Sequence, residues 1–306
     1  LDASLKSFNG ALSLDRELGV GWLGLARTQR MLGDVEVASE SLARARRLMN
    51  DNDASVASES ALLALDTNDV NAASIDAADV HGASATVAYV RGNIAARTGR
   101  LEMAHQMFTE CLNIDPAHIR ARLNRSSVSM AMNEGRSVLD DAEILLDMAP
   151  MLALARVRKA EGHMMLGEWE PASKQLRHVL ETAPHHTHAL TQLAACYMSM
   201  DRPERAESPL NEALRHSPDH APAWHQRGLL YLEWSKIDNA LSDFEAAVRC
   251  DGQHLDARLH IAALLHNSER LDEAEAAWRA VLAIDPDHTV AKTRLAECGR
   301  TLMSTR

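Results

Sequence analysis

The stretch IDPAH, Ile114 to His118, decides how this chain is read, because close variants of it return at a fixed spacing. TAPHH ends at His186, HSPDH at His220, CDGQH at His254 and IDPDH at His288. Prolines fall at Pro116, Pro150, Pro184, Pro218 and Pro286, with Gly252 in the one missing place, so every interval is 34 residues or twice that. Pro and Gly punctuate chains at turns. A fixed period of roughly 20–50 residues marks an array of stacked supersecondary units.

Composition points to helices. The chain of 306 residues is rich in Ala, Leu, Glu, Arg and Met, and carries only three Tyr and three Phe against thirteen Met. Those are helix formers rather than strand formers. A net charge of −11 argues against a nucleic-acid surface, whose footprint is basic. No apolar run is long enough to span a bilayer, which argues against membrane insertion, and no signal-peptide pattern opens the chain. The first residue is Leu1 rather than Met, so a fragment or processed form is expected, and the missing signal says nothing about export. The four cysteines (Cys111, Cys196, Cys250, Cys298) lie far apart without a C-x-x-C pair. Reduced, buried thiols are the expectation, and they favour a cytoplasmic setting over a periplasmic one.

Numbered from 1 to 34, the repeats align in several independent columns. Position 8 holds Ala26, Gly92, Ser126, Ala160, Ala194, Gly228, Ala262 and Ala296, and position 20 holds Ser4, Ala38, Ala104, Val138, Ala172, Ala206, Ala240 and Ala274. Small side chains there let two helices approach closely. Position 24 is mostly a large apolar plug: Phe8, Leu42, Phe108, Leu176, Leu210, Phe244 and Trp278. Trp224, Gly228, Tyr231, Ala240 and Phe244 fit W-x2-L-G-x2-Y followed by A-x3-F, with Arg227 where Leu is expected. On these residues the chain resembles tetratricopeptide repeat (TPR) proteins. The resemblance implies an all-α fold, an α–α superhelix of helix–turn–helix repeats in which A helices line a concave groove and B helices form the outer wall.

In that frame, residues 1–18 form an orphan helix B, and full repeats occupy 19–52, 85–118, 119–152, 153–186, 187–220, 221–254 and 255–288. Residues 289–306 make a C-terminal capping helix wetted by Lys292, Arg294, Glu297 and Arg300. The uncapped N-terminus suggests that further repeats or another domain precede Leu1. Residues 53–84, rich in Ala, Ser and Asp and lacking aromatics, read as a degenerate repeat with helices over 54–66 and 70–81, expected to be the least stable unit.

The resemblance places groove-facing side chains at positions 2, 5, 6, 9, 12 and 13 of helix A. Position 6 reads Gly24, Val90, Asn124, Arg158, Gln192, Gln226, His260 and Arg294, polar from Asn124 onward. An Asn or Gln can pair with both the C=O and the N–H of a peptide backbone. The series resembles the asparagine ladder of some TPR superhelices; the plainer alternative is a merely solvated face. Asn93, Asn124 and Arg158 also match part of the carboxylate clamp of chaperone-binding TPR domains. Tyr89 and Leu154 stand where its lysines belong, which tells against docking of chaperone C-termini. Arg120 adds a positive charge nearby, and Glu161, His188, Thr191, His225, Glu233 and His266 complete the groove candidates. His225 and His260, on adjacent A helices, offer either a metal pair or two solvated imidazoles, and the absence of a neighbouring carboxylate or Cys favours the latter. Met130, Met164, Met165 and Met198 form either an adaptable apolar strip or simple packing.

The triplet of histidines at His185, His186 and His188 divides in the same frame: two fall in a turn and His188 alone faces the groove. No metal, cofactor or catalytic site is expected, since no phosphate-binding, nucleophile-elbow, H-E-x-x-H or dinucleotide fingerprint appears. The glycines of MNEGRS and DGQH belong to inter-helix turns. The expected function is a non-enzymatic scaffold that binds an extended peptide or partner helix. The alternatives are the substrate-recruiting part of a larger glycosyltransferase, sulfotransferase or hydroxylase, a periplasmic secretion, pilus or polysaccharide scaffold, and self-association through the N-terminal helix or 53–84.

Overall fold

The computed structural model describes residues 1–49, 53–67, 69 and 84–304, with the side chains of 300–304 outside that set. Its regular elements are helical: α1 (Asp2–Leu14), α2 (Gly19–Leu32), α3 (Val35–Leu48), α4 (Ala54–Asp66), α5 (Ala85–Arg97), α6 (Leu101–Ile114), α7 (Ile119–Ala131), α8 (Gly135–Met148) and α9 (Ala153–Met165). They continue with α10 (Trp169–Thr182), α11 (Thr187–Ser199), a 3-10 turn (Pro203–Arg205), α12 (Glu207–His216), α13 (Ala221–Glu233), α14 (Ile237–Cys250), α15 (Leu255–Asn267), α16 (Leu271–Ile284) and α17 (Thr289–Ser304). The chain divides into two units, Leu1–Ala155 and Arg156–Arg306. In the first, each helix from α1 to α7 packs on its successor; in the second, each from α10 to α16 does. Helix α4 spans the residues that spacing predicts, and the helix expected over 70–81 lies outside the described residues.

The IDPAH turn works through three local bonds. Asp115 Oδ1 accepts from the backbone N–H of Ala117, and the same Asx turn recurs at Asp15, Asp251 and Asp285. The last residue of the motif caps the next helix: Nδ1 of His118, His186, His254 and His288 accepts from the backbone N–H three residues on. A neutral imidazole thereby satisfies one of the four orphan donors of a helix start. His220 makes no such bond, and Pro222 occupies the first turn of its helix. At position 4 a long donor reaches back six residues onto the turn: Trp22 to the carbonyl of Arg16, Arg122 to Pro116, Trp224 to Pro218 and Arg258 to Gly252. Trp and Arg interchange there because each supplies an N–H at the end of an apolar stem.

Within a repeat, the turn from helix A to helix B is set by a left-handed residue at position 15. Gly33, Gly99 and Gly167 take it freely, whereas Asn133, Asp201, Ser235 and Glu269 hold φ between 56° and 60°. Gly135, which sequence alone puts in this turn, instead opens α8, and Gly252 has no positive φ. A non-Gly residue in this region carries a penalty of roughly 1–2 kcal/mol, partly offset by the entropy a glycine loses on folding. Glu269→Gly should therefore raise stability by about 0.5–1 kcal/mol in urea denaturation. An unchanged or lower midpoint would show that the turn is not strained.

Positions 8, 20 and 24 meet in the core of each hairpin. Ala104, Phe108, Ala240 and Phe244 are fully buried. A Cβ built on Gly92 would sit 2.6 Å from the Phe108 ring, and one on Gly228 would sit 2.7 Å from Phe244. Position 24 also covers position 6 of the following repeat: Phe8 of α1 lies over Gly24, as Phe244 stacks on His260. Arg227, the apparent departure from the TPR pattern, forms a two-pronged pair with buried Asp243 on the facing helix, at 2.7 and 2.9 Å. Arg125 repeats this pairing with Asp141, which also binds Arg122 at 3.1 Å. Among the cysteines, Cys111, Cys196 and Cys298 are buried free thiols, but Cys250 is exposed, at the C-terminal end of α14.

Candidate functional site

In the first unit, A helices line a cleft of about 320 Å³ bordered by Arg27, Arg30, Glu59, Asp66, Tyr89, Asn93, Arg97, His118 and Arg120. Four arginines face two carboxylates, so the cleft is net cationic. Glu59 is 2% exposed and is gripped by Arg27 and Arg30, while Arg30 also reaches Asp66 at 2.9 Å. Burial works against the Arg30 charge, but the two carboxylates outweigh it and hold its pKa above the ordinary value. Arg120 is exposed at the rim.

Beside this cleft, Tyr89, Asn93 and Asn124 form a chain of amide and hydroxyl groups. Asn93 Nδ2 donates to the Tyr89 carbonyl at 2.7 Å, and Asn124 Nδ2 donates to Asn93 Oδ1 at 2.8 Å and, weakly, to the Tyr89 hydroxyl oxygen at 3.4 Å. The Tyr89 ring is fixed against His118 at 4.7 Å and Phe108 at 6.0 Å. Among the described residues this leaves three groups without partners: the Tyr89 hydroxyl proton, one Asn93 amide hydrogen and the Asn124 carbonyl oxygen. Beyond the two asparagines lies a second hollow of about 310 Å³, walled largely by Ala96, Leu101, Phe108, Val128 and Ala131. Tyr89, Asn93, Arg120 and Asn124, four of the groove candidates, thus lie close together. Arg27, Arg30 and Arg97 were missed, although they occupy positions 9, 12 and 13 of their repeats, within the groove columns.

Position 6 does not behave as one ladder. Val90 is buried beneath Ala61 and Leu65 of α4, and Gly24 lies under Phe8. In the second unit, Arg158 pairs with Glu161 at 2.9 Å, and His188 Nε2 bonds the other Glu161 oxygen at 2.9 Å. Burial would raise the Glu161 carboxyl, but the His188 bond and the Arg158 charge hold it below its ordinary value. Glu161 thus joins the other two side chains, one on each carboxylate oxygen. Gln192 and Gln226 are half-buried and make no hydrogen bond among the described residues, whereas Arg294 is exposed beside Glu297.

Several groove expectations need correction. His225 and His260 do lie close, with ring centroids 5.4 Å apart, but they are half-buried rather than freely solvated: both pack on Phe244, and His225 Nε2 is buried without a partner. Burial, then the neighbouring His254 and His260, push the His225 pKa down to about 4. Thr191 is buried and bonds back to the Thr187 carbonyl, and His266 Nδ1 lies 3.3 Å from buried Cys298. Glu233 is exposed, and Met130, Met164, Met165 and Met198 are all half-buried.

Family models described as tetratricopeptide repeat match residues 163–227, and residues 85–118 and 221–254. The last two matches coincide with repeats of the 34-residue frame. This is a tetratricopeptide repeat protein. The TPR chain is similar in fold to a TPR protein from Parabacteroides merdae, at 17% identity and a TM-score of 0.63 over 81% of this chain and 98% of that one. TTC0263, a thermophilic TPR protein of Thermus thermophilus, is 24% identical with a TM-score of 0.53, over 59% and 98%. The Cut9–Hcn1 hetero-tetramer of the APC/C is 15% identical with a TM-score of 0.66, over 96% and 58%. No curated protein matches the TPR chain. Among the described residues, no helix is long and apolar enough to cross a membrane.

Proposed function

We propose that the first unit binds an extended peptide carrying an acidic side chain next to a bulky apolar one, and that the chain acts as a non-enzymatic scaffold. TPR repeats generally mediate protein–protein interactions. The observation that carries the finer reading is the Tyr89–Asn93–Asn124 chain standing between a net cationic cleft and an apolar hollow. Its open donors and acceptor suit a peptide backbone, the arginines suit a carboxylate, and the wall around Phe108 suits an aliphatic or aromatic side chain.

A random peptide library panned against the chain should enrich acidic–apolar sequences. Their affinity, followed by fluorescence anisotropy, should fall at least tenfold in an Asn93→Ala, Arg120→Ala, Asn124→Ala triple variant with unchanged helical circular dichroism. Raising the salt concentration should weaken binding as well. Enrichment without acidic bias, or affinity untouched by the triple substitution, would remove the proposal. The polar rungs of the second unit (Gln192, Gln226 and Arg294) are a separate surface, and the same peptides should bind unchanged when both glutamines become Ala.

A further inference from the structure

We propose that His185, Glu212 and His216 form a binding site for one divalent transition-metal ion, with zinc as the natural fit. The site lies entirely within the second unit and is separate from the peptide site. Among the described residues, this is the one set of three His, Cys, Asp or Glu side chains whose ligand atoms all come within 4.8 Å of one another. His185 sits in the turn before α11, and Glu212 and His216 lie one turn apart on α12, so three ligands converge from two chain segments.

The geometry is close to that of a bound ion. His185 Nδ1 lies 3.1 Å from Glu212 Oε1, and His216 Nε2 lies 3.0 Å from the same oxygen. Zinc bonds of about 2.0–2.1 Å at tetrahedral angles place neighbouring ligand atoms roughly 3.3 Å apart, close to both of these nitrogen–oxygen distances. The two imidazole rings are stacked, with centroids 3.8 Å apart and planes at 25°, and because each lone pair lies in its ring plane a turn of exposed His185 brings both onto one ion. His185 is 58% exposed, so the ion has a path in. Two neutral imidazoles and a carboxylate favour zinc, nickel or copper over magnesium or calcium, and leave a fourth position for water.

The adjacent histidines do not compete. His186 Nδ1 caps α11 and His188 Nε2 holds Glu161. Arg215 contacts both carboxylate oxygens, at 2.6 Å to Oε1 and 3.2 Å to Oε2. It can keep Oε2 when the ion takes Oε1. The repeat itself does not ask for these side chains. Position 30 carries Leu48, Ile114, Met148, Thr182, Cys250 and Ile284 elsewhere, and His216 only here; position 33 is His only at His185.

The test is calorimetric titration of the chelator-treated chain with Zn2+, repeated with Co2+ to read coordination from its visible absorption. The expected result is one saturable site, tetrahedral in its cobalt spectrum. Its affinity should drop at least tenfold in His185→Ala and in His216→Ala and stay unchanged in His178→Ala, which removes an exposed His–Glu pair lacking a third ligand. Circular dichroism checks that each variant is folded, and His185→Asn serves if the alanine variant is not. No saturable binding, or binding that His178→Ala weakens as much as His185→Ala does, would overturn the proposal.

Discussion

Asp141→Ala should lower the stability of the first unit by about 3–5 kcal/mol, the usual consequence of removing one partner from a buried ion pair. Asp141 is 1% exposed and receives three guanidinium bonds, one from Arg122 and two from Arg125. The side chain of Arg122 is itself only 7% exposed, its Nε has no partner, and it spends another N–H on the Pro116 carbonyl. It cannot swing into water without breaking the turn, so the variant leaves a positive charge in the hairpin core. The control is its neighbour: Asp140 pairs with Arg136 at the surface, where both side chains are more than half exposed. Asp140→Ala should change stability by less than about 0.5 kcal/mol. Urea denaturation of the two variants separates the cases, and equal effects would refute the buried-charge account.

Phe244→Ala should cost the second unit about 3–5 kcal/mol through lost burial and the cavity left behind. The ring is fully buried against Gly228 and supports two histidines, His260 at 4.8 Å and His225 at 5.5 Å. The variant should also alter the response to acid. His225 is depressed from 6.5 to about 4 in the folded chain. Between those values the unfolded chain binds a proton that the folded chain does not, so stability declines as the pH falls through that window. Opening the cavity hydrates His225 and returns its pKa toward 6.5. Less stability should then be lost between pH 6.5 and 4 in Phe244→Ala than in the parent chain. The same slope in both would mean that His225 is not what titrates there.

Much of the fold was legible because periodic contacts leave periodic columns. The small residues at positions 8 and 20, the plug at 24 and the turn motif all recur, and the structure gives each a local cause. The histidine of IDPAH reads as a mere marker in the sequence, yet it is a helix cap. Side chains that bond across a hairpin were harder to see. Arg227 looks like an error in the pattern until Asp243, sixteen residues later, is found opposite it; the same interval links Arg125 to Asp141. Groove positions were half legible. One rule picked Asn93, Arg120 and Asn124, which lie together beside the cleft, and applied more widely it reaches Arg27, Arg30 and Arg97. It failed at Val90 because the helix before it, α4, covers a face that the rule assumes is open. The convergence of His185 with Glu212 and His216 obeys no column at all, since it needs an unusual residue at two unrelated positions.

The Arg–Asp pairs have a mechanical consequence. Each one joins helix A to helix B inside a single repeat, so in residues 119–152 and 221–254 the hairpin is riveted internally by a buried ion pair. Under a pulling force such a pair resists the parting of the two helices it joins. Each riveted repeat then acts as a latch that lets out roughly 110–120 Å of slack when it yields, at about 3.3–3.6 Å for each extended residue.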